Sequence, residues 1–189
     1  TSLSSVKFSN TIGNIGDDAF SGGNLTGSLS FNTNGDLNIG AEAFNNQNLT
    51  SIDFSAVKGN IVIGAAAFLT EKPTMTLTTL TLPTEPTNNE QNTSYVAIKT
   101  NAFGNCEGLK LNWGTDTNPS IPNNIAYIGI NAFSEATLNA LNTLSYTNPL
   151  QVTSALNNFG NGQFAGVTSS DTTYFGPMLM SNNGSIKSV

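Results

Sequence analysis

A six-residue block recurs five times along the chain and constrains its fold more than any other feature. Each copy has isoleucine at the first position and Ala-Phe at the last two. The phenylalanines follow one another at spacings of 24, 24, 35 and 30 residues: Phe20, Phe44, Phe68, Phe103 and Phe133. Repeats of 20 to 50 residues are typical of solenoids, in which each repeat buries its apolar face against its neighbours. We therefore predict that the five rings form one internal column.

A second motif, L-x-x-[L/I/V]-x-[L/F], lies between the blocks. It is clearest in "LTSIDF" (49–54) and "LTTLTL" (77–82), and it has one inserted residue between Leu25 and Phe31. Its last two apolar positions alternate with polar residues, which indicates a half-buried strand. Glycine follows the isoleucine in four of the five blocks, and we expect it to adopt positive φ at a sharp corner.

Each repeat is therefore predicted to be one coil of a β-rich, right-handed solenoid. We expect about six coils, one continuous parallel sheet, and short helical or 3-10 turns that carry Ala-Phe back to the next strand. A parallel β-helix with three sheets and no helical turn is the rival architecture. Residues 1–146 form the predicted solenoid. Residues 147–189, where the repeat register is lost, are predicted to be a degenerate coil and a C-terminal cap, which an open stack needs.

The two alternating motifs resemble the leucine-rich repeats of BspA-like, or Treponema pallidum-type, proteins. The resemblance covers about residues 3–146 and is closest where "LTTLTLP" (77–83) is followed by "IKTNAFGNCEGLKL" (98–111). It implies a secreted or surface-anchored protein of bacteria or mucosal protists that takes part in adhesion, and it carries no general catalytic motif. The first ten residues have no apolar signal-peptide segment, so an extracellular or cell-surface location follows from the resemblance alone.

The composition argues against several classes of function. The net charge is −6, and the six basic residues are all lysine, so no clustered Lys or Arg surface is expected for nucleic acid or anionic membranes. No stretch reaches the roughly 18 apolar residues of a membrane span. Histidine is absent, which excludes Ser-His-Asp and Cys-His arrangements. We therefore expect no catalytic residue, no metal site and no cofactor.

A cysteine, a pair of aspartates and a tryptophan are further candidate site residues. Cys106 takes the slot of Leu49 and is expected to be a buried small hydrophobe rather than a reactive thiol. Asp17 and Asp18 are expected to be solvated corner residues rather than a catalytic carboxylate pair. Trp113 is expected to cap the core at a corner, and the alternative is a stacking platform for a sugar or a peptide.

The outward face of the long strands is the predicted binding surface, since solenoids recognise ligands along such extended faces. Alternation along the strands gives its candidate residues as Lys7, Ser30, Asp53, Thr81, Lys110 and Ser145, with Trp113 as a possible loop contact. The predicted function is a non-enzymatic adhesion or interaction module for an extracellular protein or glycan, through weak multivalent contact. The alternative is a structural spacer of a larger surface protein, for which Ser and Thr merely suit an exposed strand. A carbohydrate-active enzyme is the least favoured.

Overall fold

Two parallel β-sheets form the regular structure of the part of the chain that the structure describes. The computed structural model describes residues 3–71, 75–83, 96–109, 125–129 and 131–134. These residues contain eight strands and no helix: β1 (Asn14–Ile15), β2 (Thr26–Ser30), β3 (Leu37–Ile39), β4 (Asn48–Asp53), β5 (Ile61–Ile63), β6 (Thr79–Thr81), β7 (Val96–Ile98) and β8 (Ile125–Ile128). A five-stranded sheet has the order β1-β3-β5-β7-β8, and a three-stranded sheet has the order β2-β4-β6.

Equivalent residues of successive coils are direct partners in both sheets. In the five-stranded sheet, Ile39 pairs with Ile63, which pairs with Ile98, which pairs with Ile128. Leu29, Ile52 and Leu80 form the matching row of the three-stranded sheet. From β1 to β7 the chain therefore adds one strand to each sheet in turn. The stacked coils confirm the prediction of a β-rich solenoid.

Two details of that prediction are wrong. The described strands form two sheets rather than one continuous sheet, because the short strand that ends at isoleucine pairs with its own equivalents as regularly as the long strand does. The return segments of the described blocks are hydrogen-bonded turns rather than helical or 3-10 turns. The right-handedness of the coil stays a prediction.

The turn after each isoleucine has a left-handed residue at its third position. In the first block, the Ala19 N–H donates to the Gly16 carbonyl at 3.4 Å, and Asp18 between them has φ 56°. A turn with positive φ only at its third residue is of type II. The same position has φ between 53° and 56° in the four other blocks, at Glu42, Ala66, Asn101 and Asn131.

The glycine that follows the isoleucine does not have positive φ, so that part of the sequence prediction is wrong. After the first block, where a Cβ on Gly16 would meet nothing within 4 Å, its role is close backbone approach between coils. A Cβ on Gly64 would lie 2.5 Å from the carbonyl carbon of Gly40, and a Cβ on Gly129 would lie 2.5 Å from the backbone nitrogen of Thr100. Both distances are too short for non-bonded atoms. Lys99 takes this slot in the fourth coil, and no described contact explains how it is accommodated.

The turns of successive coils are hydrogen-bonded to one another, as the strands are. The Asp18 N–H donates to the Ala41 carbonyl at 2.9 Å, and the Phe20 N–H donates to the Ala43 carbonyl at 2.8 Å. The third coil repeats the pattern, with the Phe68 N–H on the Ala102 carbonyl at 2.7 Å. Because these bonds run along the stack, each coil satisfies the backbone groups of the next one in its turns too.

Two columns of stacked phenylalanine rings fill the interior. The predicted column is confirmed: ring centroids of Phe20, Phe44, Phe68, Phe103 and Phe133 follow at 5.0, 5.2, 5.2 and 5.4 Å, with interplanar angles of 5° or less. A second column, which the sequence reasoning missed, has ring centroids at 5.1 and 4.9 Å: Phe8, then Phe31 and Phe54, which directly follow β2 and β4. The columns meet edge to face, as in the Phe31–Phe44 pair at 6.2 Å and 74°.

We expect Phe68→Ala to lower the free energy of unfolding by about 3–5 kcal/mol, because it removes a buried ring between two others and leaves a cavity. Phe20→Ala is the matched control. It removes the half-buried ring at the end of the column and should cost clearly less. Urea unfolding followed by circular dichroism measures both, and equal losses would contradict the column.

Ala66→Gly is expected to stabilise the protein by up to about 1 kcal/mol. Alanine at φ 55° carries a left-handed backbone penalty of about 1–2 kcal/mol that glycine avoids. Ala65 in the same turn does not have positive φ. Ala65→Gly should therefore destabilise the protein by about 0.5–1 kcal/mol, because glycine loses more backbone entropy on folding. Thermal or urea unfolding distinguishes the two signs, and a loss at both positions would refute the strained turn.

Candidate interaction face

The outer face of the three-stranded sheet, here the interaction face, is formed by alternate residues of β2, β4 and β6. Leu29, Ile52 and Leu80 point into the core, with exposed fractions of 2, 0 and 7 %. The residues that flank them point outward. Of these, four are exposed and two are half-buried: Ser28, Ser30, Thr79 and Thr81, then Ser51 and Asp53.

The outward residues form two rows across the strands. Ser28, Ser51 and Thr79 are successive direct partners, as are Ser30, Asp53 and Thr81. The Ser51 hydroxyl donates to Ser28 Oγ at 2.7 Å, and Asp53 Oδ1 accepts from the Ser55 N–H at 2.8 Å. Neighbouring strands lie about 4.8 Å apart. The face therefore presents five hydroxyl groups and one carboxylate in two rows, with one hydrogen bond between the Ser51 and Ser28 hydroxyls.

The inserted residue of the second coil is absorbed at Gly27. This glycine has φ 74°, and the strand register shifts between Gly27 and Ser28. After the shift, Leu29 pairs with Ile52 and Ser30 with Asp53. A local bulge therefore keeps the apolar row inside and the hydroxyl rows outside, because any uncorrected slip of one residue would reverse the two faces.

Three of the predicted binding residues lie together, and a fourth extends their row. Ser30, Asp53 and Thr81 are neighbours on adjacent strands. Lys7 is exposed and directly precedes Phe8, as Ser30 directly precedes Phe31. The rings of Phe8 and Phe31 stack on each other. Lys7 is thus placed at the first-coil end of the same row. Lys110, Ser145 and Trp113 lie outside the described residues.

The outer face of the five-stranded sheet is different in character. Its middle residues form a row of Asn14, Asn38, Val62, Ala97 and Tyr127. The two asparagines are hydrogen-bonded to each other at 2.8 Å. Val62 is 3 % exposed and Ala97 is 0 % exposed, and burial raises the pKa of the Tyr127 hydroxyl. This face is closed to a partner in the third and fourth coils.

The sequence reasoning missed this closed face, although a signal was present. β5 reads Ile-Val-Ile and β7 reads Val-Ala-Ile, with no polar residue between the core positions. Continuous apolar strands are typical of parallel sheets covered on both sides. The first two coils have asparagine at that position instead, which hides the signal in the repeat average.

The acidic residues of the first turn have structural partners. Asp17 and Asp18 are both exposed, as predicted for corner residues. Asp17 Oδ1 accepts from the Ala41 N–H of the next coil at 2.7 Å. In the part of the chain that the structure describes, no group of three or more His, Cys, Asp or Glu side chains could hold a metal ion. The same residues include no helix long and apolar enough to cross a membrane.

Cys106 is buried, as predicted from its position in a leucine slot. It is 1 % exposed, and its Sγ lies 3.4 Å from the Phe68 carbonyl oxygen. Burial raises the pKa of the thiol to about 12. A cavity of about 10 Å³ lies beside it, lined in part by Phe44, Leu77 and Thr76. Cysteine is smaller than the leucine of the other coils, so it leaves this space unfilled, and the space is at the lower limit for one water molecule.

The family profile of the BspA type leucine rich repeat region matches residues 1–93 and 85–188, in six copies. The chain belongs to the BspA-type leucine-rich repeat family. Comparison with curated proteins and with solved structures gives no significant match. The six copies agree with the predicted number of coils, and the resemblance drawn from the motifs is confirmed. The boundary at residue 146 stays a prediction.

BspA-type leucine-rich repeats are interaction repeats and are typically non-enzymatic. Proteins of this family are typically surface-located or secreted. In this chain, the repeat places small polar side chains at the positions that solenoids use for recognition.

We expect stability to fall as pH rises from about 9 to about 12. The Cys106 thiol has an ordinary pKa of 9.0 and a folded-state pKa of about 12, so over this range the unfolded chain releases a proton that the folded chain keeps. The contribution is fully present below pH 9 and decreases by up to about 1.4 kcal/mol per pH unit above it. Urea unfolding at pH 8 and pH 10 measures the fall in the free energy of unfolding between these two pH values, and Cys106→Ala should make that fall smaller. An unchanged difference between the two pH values would contradict it.

Proposed function

We propose that the chain is a non-enzymatic adhesion module that binds an extracellular protein or glycan through the interaction face. One observation carries this proposal: two rows of outward hydroxyls are held in register on three adjacent strands. The five-stranded sheet offers no comparable surface, because Val62 and Ala97 are buried on its outer side. The partner is therefore expected to contact Ser30, Asp53 and Thr81.

The chemistry of the face favours many weak contacts. A hydroxyl both donates and accepts hydrogen bonds, and each neutral bond contributes about 0.5–1.5 kcal/mol net. The described rows contain no tryptophan, tyrosine or arginine, the residues that dominate tight interfaces. A single face is thus expected to bind in the millimolar range, about −4 kcal/mol. Useful avidity would come from a repetitive polymer or from several copies of the module on one surface.

Charge sets the orientation of a partner rather than the strength of binding. Lys7 is exposed at the first coil, and Asp53 lies two coils further along the same row, held by the Ser55 N–H. A positive and a negative group are thus separated by about two strand spacings, roughly 10 Å. Complementary charges at such a distance favour one approach direction over its reverse.

The test is a double substitution, Ser30→Lys and Thr81→Lys, in a protein displayed in many copies on beads. Long charged side chains at these exposed positions should block close approach and lower binding to arrayed extracellular proteins or glycans at least tenfold. The matched control is Ala19→Lys with Ser21→Lys, which adds the same charge at two exposed positions of the first return turn. Equal binding of the two variants would overturn the assignment of the face.

The second candidate is a structural spacer that holds another domain away from a surface. The observation that favours it is the Ser51–Ser28 hydrogen bond of 2.7 Å, since hydroxyls that satisfy one another have less need of a ligand. The same binding test on arrayed extracellular proteins or glycans distinguishes the two candidate functions. Binding by the unmodified bead-displayed protein contradicts the spacer, and its complete absence contradicts the adhesion module.

A further inference from the structure

Two Asn-Leu-Thr tripeptides occupy the same slot in neighbouring coils, at residues 24–26 and 48–50. Asn-x-Ser/Thr is the acceptor pattern for N-linked glycosylation. Both asparagines and both threonines are exposed, while Leu25 and Leu49 between them are buried. The slot is thus one in which the fold buries the middle residue and presents the two that a glycosylating enzyme reads.

The backbone of the first tripeptide is fixed on both sides. The Leu25 N–H donates to Gln47 Oε1 at 2.8 Å, and Gln47 is 6 % exposed. The Thr26 N–H donates to the Ser4 carbonyl at 3.1 Å. Because Leu25 is in the core and the N–H groups of Leu25 and Thr26 are hydrogen-bonded, the side chain of Asn24 is held outside the stack.

The two asparagines differ in what their amide nitrogens do. Asn48 Nδ2 donates to Asn24 Oδ1 at 3.4 Å. Asn24 therefore uses its carboxamide oxygen in this contact, and its Nδ2 takes no part in it. No described residue engages Nδ2 of Asn24, whereas Nδ2 of Asn48 faces the neighbouring coil.

We infer that Asn24 is an N-glycosylation site and that Asn48 stays largely unmodified while Asn24 carries its glycan. Nδ2 of Asn24 forms a bond to the anomeric carbon of an oligosaccharide donated from a lipid pyrophosphate. The bond between that carbon and the pyrophosphate oxygen breaks, the lipid pyrophosphate leaves, and the amide nitrogen loses one proton. The inference rests on the proposed extracellular location, which brings the chain to such a donor.

Crowding explains why one glycan excludes the other. Neighbouring strands lie about 4.8 Å apart, and a pyranose ring with its substituents is wider than that. The same slot in the third coil is Thr76, so Asn48 has no second acceptor asparagine on its other side. A glycan on Asn24 would stand beside Thr26, at the start of the strand β2 that ends at Ser30.

The test is secretion of the full chain from eukaryotic cells behind a cleavable leader, followed by enzymatic release of N-glycans in heavy-oxygen water and peptide mapping. We expect labelled aspartate at position 24 in most molecules and at least fivefold less at position 48. Asn24→Gln should raise the occupancy of Asn48, and Thr26→Ala should abolish labelling of Asn24 while the asparagine remains. Asn38→Gln is the control, since Asn38 belongs to a similar asparagine pair but not to an acceptor tripeptide.

An unmodified Asn24 in the secreted chain would overturn the inference, and so would equal occupancy of the two asparagines. The supplied leader delivers the chain to the glycosylation machinery whatever its natural location. The binding assay of the interaction face uses protein without glycans. Failure of one proposal therefore leaves the other standing.

Discussion

The structure depends on a match between two spacings. Stacked phenylalanine rings lie 4.9 to 5.4 Å apart, close to the roughly 4.8 Å between hydrogen-bonded strands. Because the core and the backbone ladder share one period, each coil can satisfy both at once. Successive phenylalanines remain 5.2 Å apart between Phe68 and Phe103, although 35 residues separate them in sequence. The extra residues are therefore inserted outside the ring contacts, and the distance between stacked rings is unchanged.

The core could be predicted because its pattern repeats in the sequence. Isoleucine and Ala-Phe at fixed offsets specify which side chains must meet, and Ile39, Ile63 and Ile98 do meet. The division into two sheets could not be predicted, since strands as short as Asn14–Ile15 have too few residues for a periodic signal. The left-handed position was hidden as well, because Glu42 and Ala66 occupy it without the usual preference for that conformation.

The candidate face was predictable for the same reason as the core. Alternation in the long strands places Ser30, Asp53 and Thr81 on one side once Leu29 and Ile52 are inside. Which sheet face stays open is a tertiary property. The closure over Val62 and Ala97 depends on how the whole chain is arranged, and only the loss of alternation in β5 and β7 hints at it.

The direction of the backbone hydrogen bonds has a mechanical consequence. Bonds such as that from the Asp18 N–H to the Ala41 carbonyl run along the stack, so tension between its two ends loads the coil-to-coil contacts in series, and the weakest contact gives way first. The molecule would then lengthen stepwise, with each detached winding of 24 residues releasing roughly 80 Å of chain. Such stepwise release would absorb work before the stack is fully extended.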